Sequence, residues 1–526
     1  MQRLACEGDA AAARDGHVAL DAFKDRKLVR IAFGTDRPMP DWTVATGRFG
    51  ESHVHVTVLW PLLICINATR IRGGQGGGMT QFALASALRH ARVPRYTSYP
   101  PANRFTPAVD GALAHQWISE IPAGAALSLY IHVPFCRRLC WFCACRTQGT
   151  KGDAPIDRYL EHLGLEIAQL RGRLGEGQKV ERLHLGGGTP TILSPDRIGR
   201  LSDQLHKAFA ITEGAEISVE IDPCDCDDAR VEALRDLGMN RVSIGVQDFD
   251  PRVQTAIGRE QSIAATKALV ESVRKRGVRS VNFDLVYGLP HQSEATLLAT
   301  LETVIGLGPD RLALYGYAHV PQMARRQRII PEAALPGPEA RLALAARARE
   351  VPIEAGYVPV GIDHFARPQD ALARAAKTGQ LRRNFQGYTT DNTEYLIGLG
   401  PSAISSLPQG IAQNIAATGL WQARVAAGGP ATSRGHCYSA TDRLVACVIE
   451  RLMCQGEVDL AEVSARHDTS LDSLLRRARK ILRDMPGIGR LEGATLCASD
   501  SATVRIICAC FDPGFEFGTD AYSLAS

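Results

Sequence analysis

The sequence predicts an α/β fold built on six parallel strands, followed by a smaller, mainly helical C-terminal domain. Short apolar, β-rich runs alternate with helical segments between residues 127 and 315. None of these runs alternates cleanly between apolar and polar residues, as expected when both faces of a sheet are buried. After about residue 420 the strand-like runs give way to helical patterns. Together these observations predict repeated strand–helix units and a separate C-terminal part.

The elements follow one another in a regular order. The first strand, 127–133, precedes a helix at about 155–174 that begins with Pro155, a residue favoured in the first helical turn. Apolar residues at spacings of three and four give this helix one buried face. The remaining elements are a strand at 180–185, a helix around 198–205, a strand at 217–221, a helix at 228–237 ended by Gly238, a strand at 241–246, a helix at 263–276 ended by Gly277, and strands at 281–286 and 311–315 with a helix between them.

Four regions are expected along the chain. Residues 1–78 end in a glycine-rich stretch and predict a disordered extension, unless the physiological start is Met79. Mass spectrometry of the native N-terminal peptide would distinguish the two. Residues 79–126 are expected to form an N-terminal lid segment, 127–420 the barrel of strands and helices, and 421–526 the C-terminal domain, with helices at 442–453 and 472–484.

Composition excludes several classes of protein. The 526 residues carry 60 basic and 56 acidic side chains, too even a balance to indicate a nucleic-acid-binding protein. Fourteen cysteines are too sparse for a disulfide scaffold, which favours a reduced, cytoplasmic setting. The apolar stretch at 56–66 is too short to span a bilayer. We therefore expect a cytoplasmic protein with no membrane span and no nucleic-acid partner.

Four cysteines lie within ten residues after the first strand: Cys136, Cys140, Cys143 and Cys145. Three thiolates at such spacing can surround one compact, soft metal centre. Structural zinc more often takes two separated pairs of ligands. The first three cysteines fit three irons of a [4Fe–4S] cluster, whose fourth iron would stay open. A zinc site, or thiols that merely cluster, remain alternatives.

Polar and glycine residues follow the later strands. The three glycines at 186–188 allow a ligand to approach the backbone and present N–H groups to a carboxylate or phosphate, although a tight turn explains them equally well. Glu220, Gln247, Arg259 and Asp284 lie near strand ends, where parallel barrels place their active sites. Jointly they predict a lining that binds ribose hydroxyls and an aminocarboxylate.

Cys-x3-Cys-x2-Cys after one strand and Gly-Gly-Gly-Thr-Pro after the next resemble the radical S-adenosylmethionine (SAM) superfamily. Further segments are similar to the oxygen-independent coproporphyrinogen III oxidases, a resemblance that covers about residues 88–480. These segments are 95–100, Cys145, 245–249, 283–290, 363–368 and 384–390. The resemblance implies a partial (β/α)6 radical SAM barrel with the helical domain behind it.

The resemblance also implies roles for individual residues. Cys136, Cys140 and Cys143 would bind a [4Fe–4S] cluster, and Cys145 would be required for activity without being a ligand. Two SAM molecules are implied. The first would contact Tyr130, Gly187 and Glu220. The second would contact Phe142, Gly188, Thr189, Gln247, Arg259, Asp284, Ala318 and Ile404.

The activity implied is the decarboxylation of two propionates of coproporphyrinogen III to vinyls, giving protoporphyrinogen IX in haem biosynthesis by a 5′-deoxyadenosyl radical. A reductant such as flavodoxin or ferredoxin, an electron acceptor and a monomeric chain are expected. The alternatives are a haem-binding or haem-delivery protein on the same scaffold and a zinc-stabilised interaction module. Cys145 and residues 384–390 favour the oxidase.

Two further sets of residues matter for this interpretation. The chain departs from the family pattern where Ala144 stands for a glycine, Cys224 for an arginine and Gly258 for an asparagine. Basic side chains are candidates to pair with substrate propionates, although a solvated surface position is the commoner explanation for each of them. These are Arg325, Arg326, Arg382 and Arg383.

Overall fold

The structure, a computed structural model, describes residues 93–516 and four strands nearer the N-terminus. His17–Lys24 pairs with Lys27–Gly34, and Thr43–Phe49 pairs with Ser52–Val58, each as an antiparallel hairpin. These hairpins were not expected from the sequence. The rest of residues 1–92 lies outside the described residues, so the disordered extension and the start at Met79 stay predictions.

Six parallel strands form the centre of the fold, and each pairs with the next one in sequence. They are β1 (Ala126–Val133), β2 (Lys179–Gly187), β3 (Ala210–Ile221), β4 (Arg241–Gln247), β5 (Ser280–Tyr287) and β6 (Arg311–Gly316). The prediction of six parallel strand–helix units is confirmed. In the described part of the chain no ladder joins β1 to β6, so the strands form an incomplete barrel.

Other strands extend the sheet on both sides, to twelve strands in all. Tyr395–Leu399 pairs in parallel with β1, and three antiparallel strands continue beyond it: Ile404–Leu407, Gly410–Asn414 and Thr432–Cys437. On the other side His364–Ala366 and Val358–Val360 continue antiparallel from β6. A separate small hairpin joins Arg382–Asn384 to Gly387–Thr389.

Helices connect the parallel strands and cover the sheet. They are Ala154–Arg171, Pro195–Ala208, Asp228–Asp236, Pro251–Ile257, Ile263–Lys275 and Glu294–Gly306, with Pro338–Glu354 after β6. Leu127, Phe283 and other apolar side chains between sheet and helices are fully buried, and each stabilises the fold by about 1.5–3 kcal/mol. Gly238 ends its helix with a φ of 105°, as the sequence predicted.

The C-terminal part is mainly helical, as predicted, but it also contains strands. Its helices are Ala440–Gln455, Leu460–Arg466, Leu471–Asp484 and Ser501–Phe511. A three-stranded sheet of Glu457–Asp459, Gly489–Glu492 and Thr495–Ala498 lies among them. The expectation that strands end at residue 420 is wrong, because these strands are too short and too exposed to produce a β pattern. The domain boundaries themselves stay predictions.

The described part of the predicted lid segment packs against the C-terminal helix. Arg505 donates hydrogen bonds to the carbonyls of Val93 and Pro94 at 2.7 and 3.2 Å. Helix Gly111–Ser119 follows this segment and is capped by the Asp110 side chain. In the part of the chain that the structure describes, no helix is both long and apolar enough to cross a membrane.

Candidate active site

A cavity of about 630 Å³ lies at the C-terminal ends of the parallel strands. Its size is typical of sites for small molecules and cofactors. Thirteen of the fifteen site residues expected from the sequence line it: Cys136, Cys140, Phe142, Cys143, Cys145, Gly187, Gly188, Thr189, Glu220, Gln247, Arg259, Asp284 and Ala318. Six different strands or strand ends therefore bring these residues to one place.

The cysteines lie on the loop that follows β1. The short strand Phe135–Cys136 pairs in parallel with Gln148–Gly149 and closes the base of this loop. The Cys136 sulfur contacts the hydroxyls of Thr147 and Thr189 at 3.1 and 3.3 Å. Hydrogen bonds to sulfur stabilise a thiolate and tune the metal centre that it binds.

Hydrogen-bond donors also lie beside Cys140 and Cys143, the other two predicted cluster ligands. Arg259 Nη1 donates to the Cys140 sulfur at 3.4 Å. The amide of Cys145 donates to the Cys143 sulfur at 3.4 Å. Hydrogen bonding from Cys145 lowers the pKa of Cys143 to about 6, against the opposing effect of burial. Burial raises the pKa of Cys136 despite its two hydroxyl contacts, whereas the ionised, metal-binding form of Cys143 is favoured.

The arrangement of donors distinguishes the metal alternatives. Among the residues that the structure describes, no three His, Cys, Asp or Glu side chains converge closely enough to hold a single metal ion. Structural zinc needs thiolates about 2.3 Å from one atom. The thiolates of an iron–sulfur cube bind separate irons and do not meet at one point. Because Cys136, Cys140 and Cys143 all lie on this one loop, a cluster whose irons each take one thiolate suits them better than a zinc site built from two separated pairs.

Buried donors around the same cavity also fit an anionic cofactor. Arg138 Nη2, Arg259 Nε and Arg326 Nη1 are buried nitrogen atoms that lack a hydrogen-bond partner, although Arg138 Nη2 lies 3.8 Å from Asp222. All three side chains line the cavity. Unsatisfied buried donors are costly, so a bound acceptor that reaches them is stabilised. A thiolate-bound cluster and a carboxylate both provide such acceptors.

Glu220 presents an ionised carboxylate to the cavity. His184 Nε2 lies 3.2 Å from one of its oxygens, and the amide of Gly187 donates to the other at 3.1 Å. Burial raises the pKa of Glu220, but these hydrogen bonds outweigh burial and hold the pKa below its usual value. Because 41% of the side chain stays accessible, Glu220 can accept a hydrogen bond from a bound ammonium or hydroxyl.

The backbone amides of the glycine loop at 186–188 do not have the role that the sequence predicted. The amides of Gly188 and Thr189 donate to the carbonyls of Val133 and Phe135 at 2.7 and 2.8 Å, and that of Gly187 donates to Glu220. These N–H groups are therefore not available to the carboxylate or phosphate of a ligand. A Cβ on Gly188 would lie 2.5 Å from the Phe135 carbonyl, so glycine is required there by packing.

Residues 130–304 match the Radical SAM superfamily. The oxygen-independent coproporphyrinogen III oxidase of Paracoccus denitrificans (strain Pd 1222) is 50% identical over 440 residues, which are 83% of this chain and 97% of that protein. The enzyme of the same name from Escherichia coli (strain K12) is 38% identical over 80% of this chain and 92% of its own length.

The chain belongs to the oxygen-independent coproporphyrinogen III oxidase family, within the radical SAM superfamily. The solved structure of coproporphyrinogen III oxidase from Escherichia coli, described as a radical SAM enzyme, matches with a TM-score of 0.76 and 37% identity, over 80% of this chain and 97% of that one. The radical SAM fold and its cofactors, a [4Fe–4S] cluster and SAM, follow from this membership.

Two residues implied by the family resemblance do not line the cavity. Tyr130 is buried in β1 and stacks on His184 at 5.6 Å between ring centroids, with its hydroxyl 3.0 Å from His132. Its ring lies against His184, which in turn contacts Glu220. Ile404 lies on the strand Ile404–Leu407, which pairs with Tyr395–Leu399 rather than with a barrel strand. Their contacts with SAM stay predictions.

Arg259 is fixed by hydrogen bonds, and Gln247 lies at an irregularity at the end of β4. Arg259 donates to Asp222 and to the Gly245 carbonyl at 3.0 and 2.8 Å, in addition to its bond with Cys140. Gln247 has a φ of 68° at a bulge where β4 ends. Such strain in a non-glycine residue is frequent at functional sites. The bulge ends the regular pairing of β4 at the cavity edge.

One departure from the family pattern has a structural reason. Gly258 adopts a φ of 65°, and a Cβ there would lie 2.8 Å from the indole ring of Trp141. The glycine lets Trp141, which lies between Cys140 and Phe142, pack closely against this turn. Cys224 is exposed, and its thiol donates weakly to the Glu260 carbonyl at 3.7 Å. Ala144 lines the cavity.

Sequence reasoning missed several residues of this cavity. Ser243 donates to Asp284 at 2.7 Å, and its position on the same strand face as Gly245 could have indicated it. Gln327 donates to the carbonyls of Phe142 and Ala318 at 2.7 and 3.0 Å and so ties the cysteine loop to the end of β6. No pattern in the sequence marks Gln327.

The four arginines considered as partners of the substrate propionates lie at different places in the structure. Arg326 lines the cavity and donates to the Cys145 carbonyl at 3.2 Å. Arg325 lines a neighbouring depression. Arg382 is 47% exposed and bonds Glu450 at 2.8 Å, outside the cavity. Arg383 lines a second, smaller cavity.

Proposed function

We propose that this chain converts coproporphyrinogen III to protoporphyrinogen IX by oxidative decarboxylation of two propionates to vinyls, without molecular oxygen. The observation that carries the proposal is the meeting of Cys136, Cys140, Cys143 and Glu220 at one cavity, in a chain 50% identical to an oxidase along 97% of that enzyme. The names of the relatives favour this activity over haem delivery.

The reaction needs chemistry that side chains cannot supply. A propionate C–H bond beside a pyrrole ring is not acidic enough for general-base removal. When bound, the cluster and SAM supply a one-electron cleavage of the sulfonium that yields a strong abstractor of hydrogen atoms. Cys136, Cys140 and Cys143 would hold the cluster, and Glu220 would accept a hydrogen bond from the nearest SAM.

The second SAM is part of the proposal. Gly188, Thr189, Gln247 and Asp284 lie at the ends of β2, β4 and β5, on the same cavity as Glu220. Burial raises the pKa of Asp284, although Ser243 and Asn282 donate to it. A carboxyl so placed can bind a ribose hydroxyl. Equilibrium dialysis of anaerobic holoenzyme with labelled SAM should give about two molecules per chain, and one would exclude the second site.

Cys145 is proposed to act without binding the cluster. Its amide supports Cys143, and its carbonyl accepts from Arg326, so its backbone is fixed while its side chain faces the cavity. A thiol in this position can donate a hydrogen atom or orient substrate. Cys145→Ala is expected to keep its iron and lose turnover.

The remaining expectations complete the proposal. An external one-electron donor of the flavodoxin or ferredoxin class would reduce the cluster, and a separate acceptor would take the electron left after CO2 departs. The twelve cysteines that the structure describes are free thiols, which fits a reducing cytoplasmic compartment. A monomeric chain is proposed, and sedimentation of the holoenzyme would test it.

The deciding experiment is turnover under strict anaerobiosis. Reconstituted enzyme, reduced with dithionite and given SAM and coproporphyrinogen III, should form protoporphyrinogen IX, CO2 and 5′-deoxyadenosine. Cys140→Ser should form none of the three. Tight haem binding by the wild-type chain without any decarboxylation would support the haem-delivery alternative instead.

A further inference from the structure

A second cavity of about 130 Å³ adjoins the candidate active site. Arg95, Tyr315 and Gly316 line both cavities, so the two share a wall at the end of β6. The smaller one is far too small for a tetrapyrrole ring but large enough for a carboxylate and its methylene groups. Helix Pro338–Glu354 and the C-terminal helix close its other sides.

Positive charge is concentrated around this small cavity. Four arginines and one carboxylate are found among the described residues that line it: Arg95, Arg349, Arg383, Arg505 and Asp363. The carboxylate is already engaged, since His364 Nδ1 lies 2.7 Å from it. The lining therefore carries a net charge of about +3 by the ordinary pKa values of these groups.

Backbone carbonyls hold three of these arginines in place. Arg505 donates to Val93 and Pro94, Arg95 donates to Gly316, and Arg383 Nε donates to Tyr96 at 3.3 Å. The terminal nitrogen Nη1 of Arg383 is buried and has no hydrogen-bond partner. This buried nitrogen of Arg383 is the donor that a bound anion would satisfy.

The lining arginines differ in how firmly they hold their protons: against the effect of burial, Tyr388 and Asp363 raise the pKa of Arg383. Burial, followed by repulsion from Arg95, lowers the pKa of Arg505 to about 9. Burial also lowers the pKa of Arg95. Buried like charges destabilise a fold unless an opposite charge joins them. A bound anion would remove this repulsion, and a guanidinium binds a carboxylate through two parallel hydrogen bonds.

We propose that this arginine cavity binds one propionate carboxylate of the tetrapyrrole substrate. The inference rests on the proposed function and names the part of the substrate that the cavity recognises. Coproporphyrinogen III carries four propionates, and two of them remain in the product. A retained propionate anchored beside β6 would hold the ring so that a reacting propionate lies in the main cavity near the cysteine loop.

The walls of the cavity suit the rest of such a group. Leu314, Leu342 and Phe365 form an apolar side on which two methylenes can pack. Arg95 and Arg505 come from opposite ends of the described chain, so the cavity is complete only when both termini are in place.

The sequence offers a matched pair of variants. Arg383→Gln removes a cavity arginine, whereas Arg382→Gln removes its neighbour, which bonds Glu450 at the surface. Both would be made in the full-length holoenzyme. Binding of coproporphyrin III and of its tetramethyl ester would be followed by fluorescence, and KM values for coproporphyrinogen III and SAM would be measured anaerobically.

We expect wild-type enzyme and Arg382→Gln to bind the free acid more tightly than the ester. Arg383→Gln should lose that preference and raise KM for coproporphyrinogen III by about 10- to 100-fold, the range for a charged hydrogen bond. Its iron content and KM for SAM should not change. If Arg383→Gln does not fold, Ser501→Glu, which adds a carboxylate to the cavity wall, should have the same effect.

Other outcomes would overturn the inference. Unchanged acid-over-ester preference in both Arg383→Gln and Ser501→Glu would show that the cavity does not bind the substrate carboxylate. A raised KM for SAM alone would assign the cavity to the aminocarboxylate of the cofactor. If the wild-type chain shows the preference but forms no product, the proposed function fails while carboxylate binding stands.

Discussion

Arg104 and Asp512 lie 408 positions apart and form a two-pronged ion pair, with Nη1 and Nη2 of the arginine 2.7 and 2.6 Å from the two carboxylate oxygens. The Asp512 side chain is completely buried. The hydroxyls of Tyr96 and Tyr99 reach the same carboxylate at 3.1 and 3.4 Å. One aspartate thus joins the segment before the barrel to the end of the C-terminal helix.

The first prediction concerns this junction. Asp512→Ala leaves Arg104 and two tyrosine hydroxyls without their acceptor, and the free energy of unfolding should fall by about 3 kcal/mol. Urea denaturation would measure the fall, and trypsin should cleave faster after Arg104. The control is Asp472→Ala, because Asp472 is 80% exposed and its pair with Arg476 should contribute less than about 0.5 kcal/mol. Equal stability of the two variants would contradict the prediction.

The second prediction concerns the cysteine loop. Cys140→Ser should prevent assembly of the cluster, because two remaining thiolates of the motif cannot hold the cube. Cys454→Ser should leave it intact, since Cys454 is buried beside Val360 and Leu372, away from this loop. Iron and sulfide analysis after anaerobic reconstitution would measure about four irons in the control. A tightly bound zinc in both proteins would refute the cluster.

The third prediction tests whether the hydrogen bond from Thr189 to the Cys136 sulfur affects the reduction potential of the cluster. Thr189→Val removes the hydroxyl that donates to the Cys136 sulfur, and fewer hydrogen bonds to sulfur make a cluster harder to reduce. Potentiometric titration followed by EPR should show a more negative midpoint potential at unchanged iron content.

Thr191→Val is the matched control for this measurement. The Thr191 hydroxyl is buried two residues away and has no hydrogen-bond partner, so its removal should not change the potential. An equal shift in both variants would mean that loop packing, and not the bond to Cys136, sets the potential.

The barrel could be predicted because its signals are local. Buried parallel strands are apolar on both faces, and the helices between them begin at capping residues such as Ser262 and Ser293. The short strands after residue 420 could not be predicted, because strands such as Thr432–Cys437 are half exposed and contain charged residues. Their pairing is decided by neighbours that are distant in the sequence.

The candidate active site likewise combines features that the sequence predicts with features that it does not. The spacing of the cysteines identified the metal-binding loop, since all its members lie within ten residues. The engagement of the Gly188 amide by Val133 could not be predicted, because Gly188 follows β2 whereas Val133 ends β1. The arginine cavity was equally hidden, since Arg95, Arg383 and Arg505 come together only through tertiary folding.

The last prediction is a pH dependence of stability that comes from Glu166. This side chain is buried in helix Ala154–Arg171 and accepts hydrogen bonds from the Gly400 amide and the Asn414 amide group, both at 2.7 Å. Burial, only partly offset by these bonds, raises its pKa from 4.5 to about 7. Between pH 4.5 and 7 the folded chain therefore binds more protons than the unfolded chain at this position. The free energy of unfolding must fall as pH rises through that window.

Glu166→Gln should remove this component, because glutamine does not titrate. The difference in unfolding free energy between the variant and the wild type should shift by about 3 kcal/mol in favour of the variant between pH 4.5 and 8. Taking the difference at each pH cancels the titration of all other groups and any constant cost of the altered hydrogen bonds. Urea denaturation at several pH values measures it. A difference that stays constant with pH would show that Glu166 is already ionised, with its charge stabilised by the loop at Gly400.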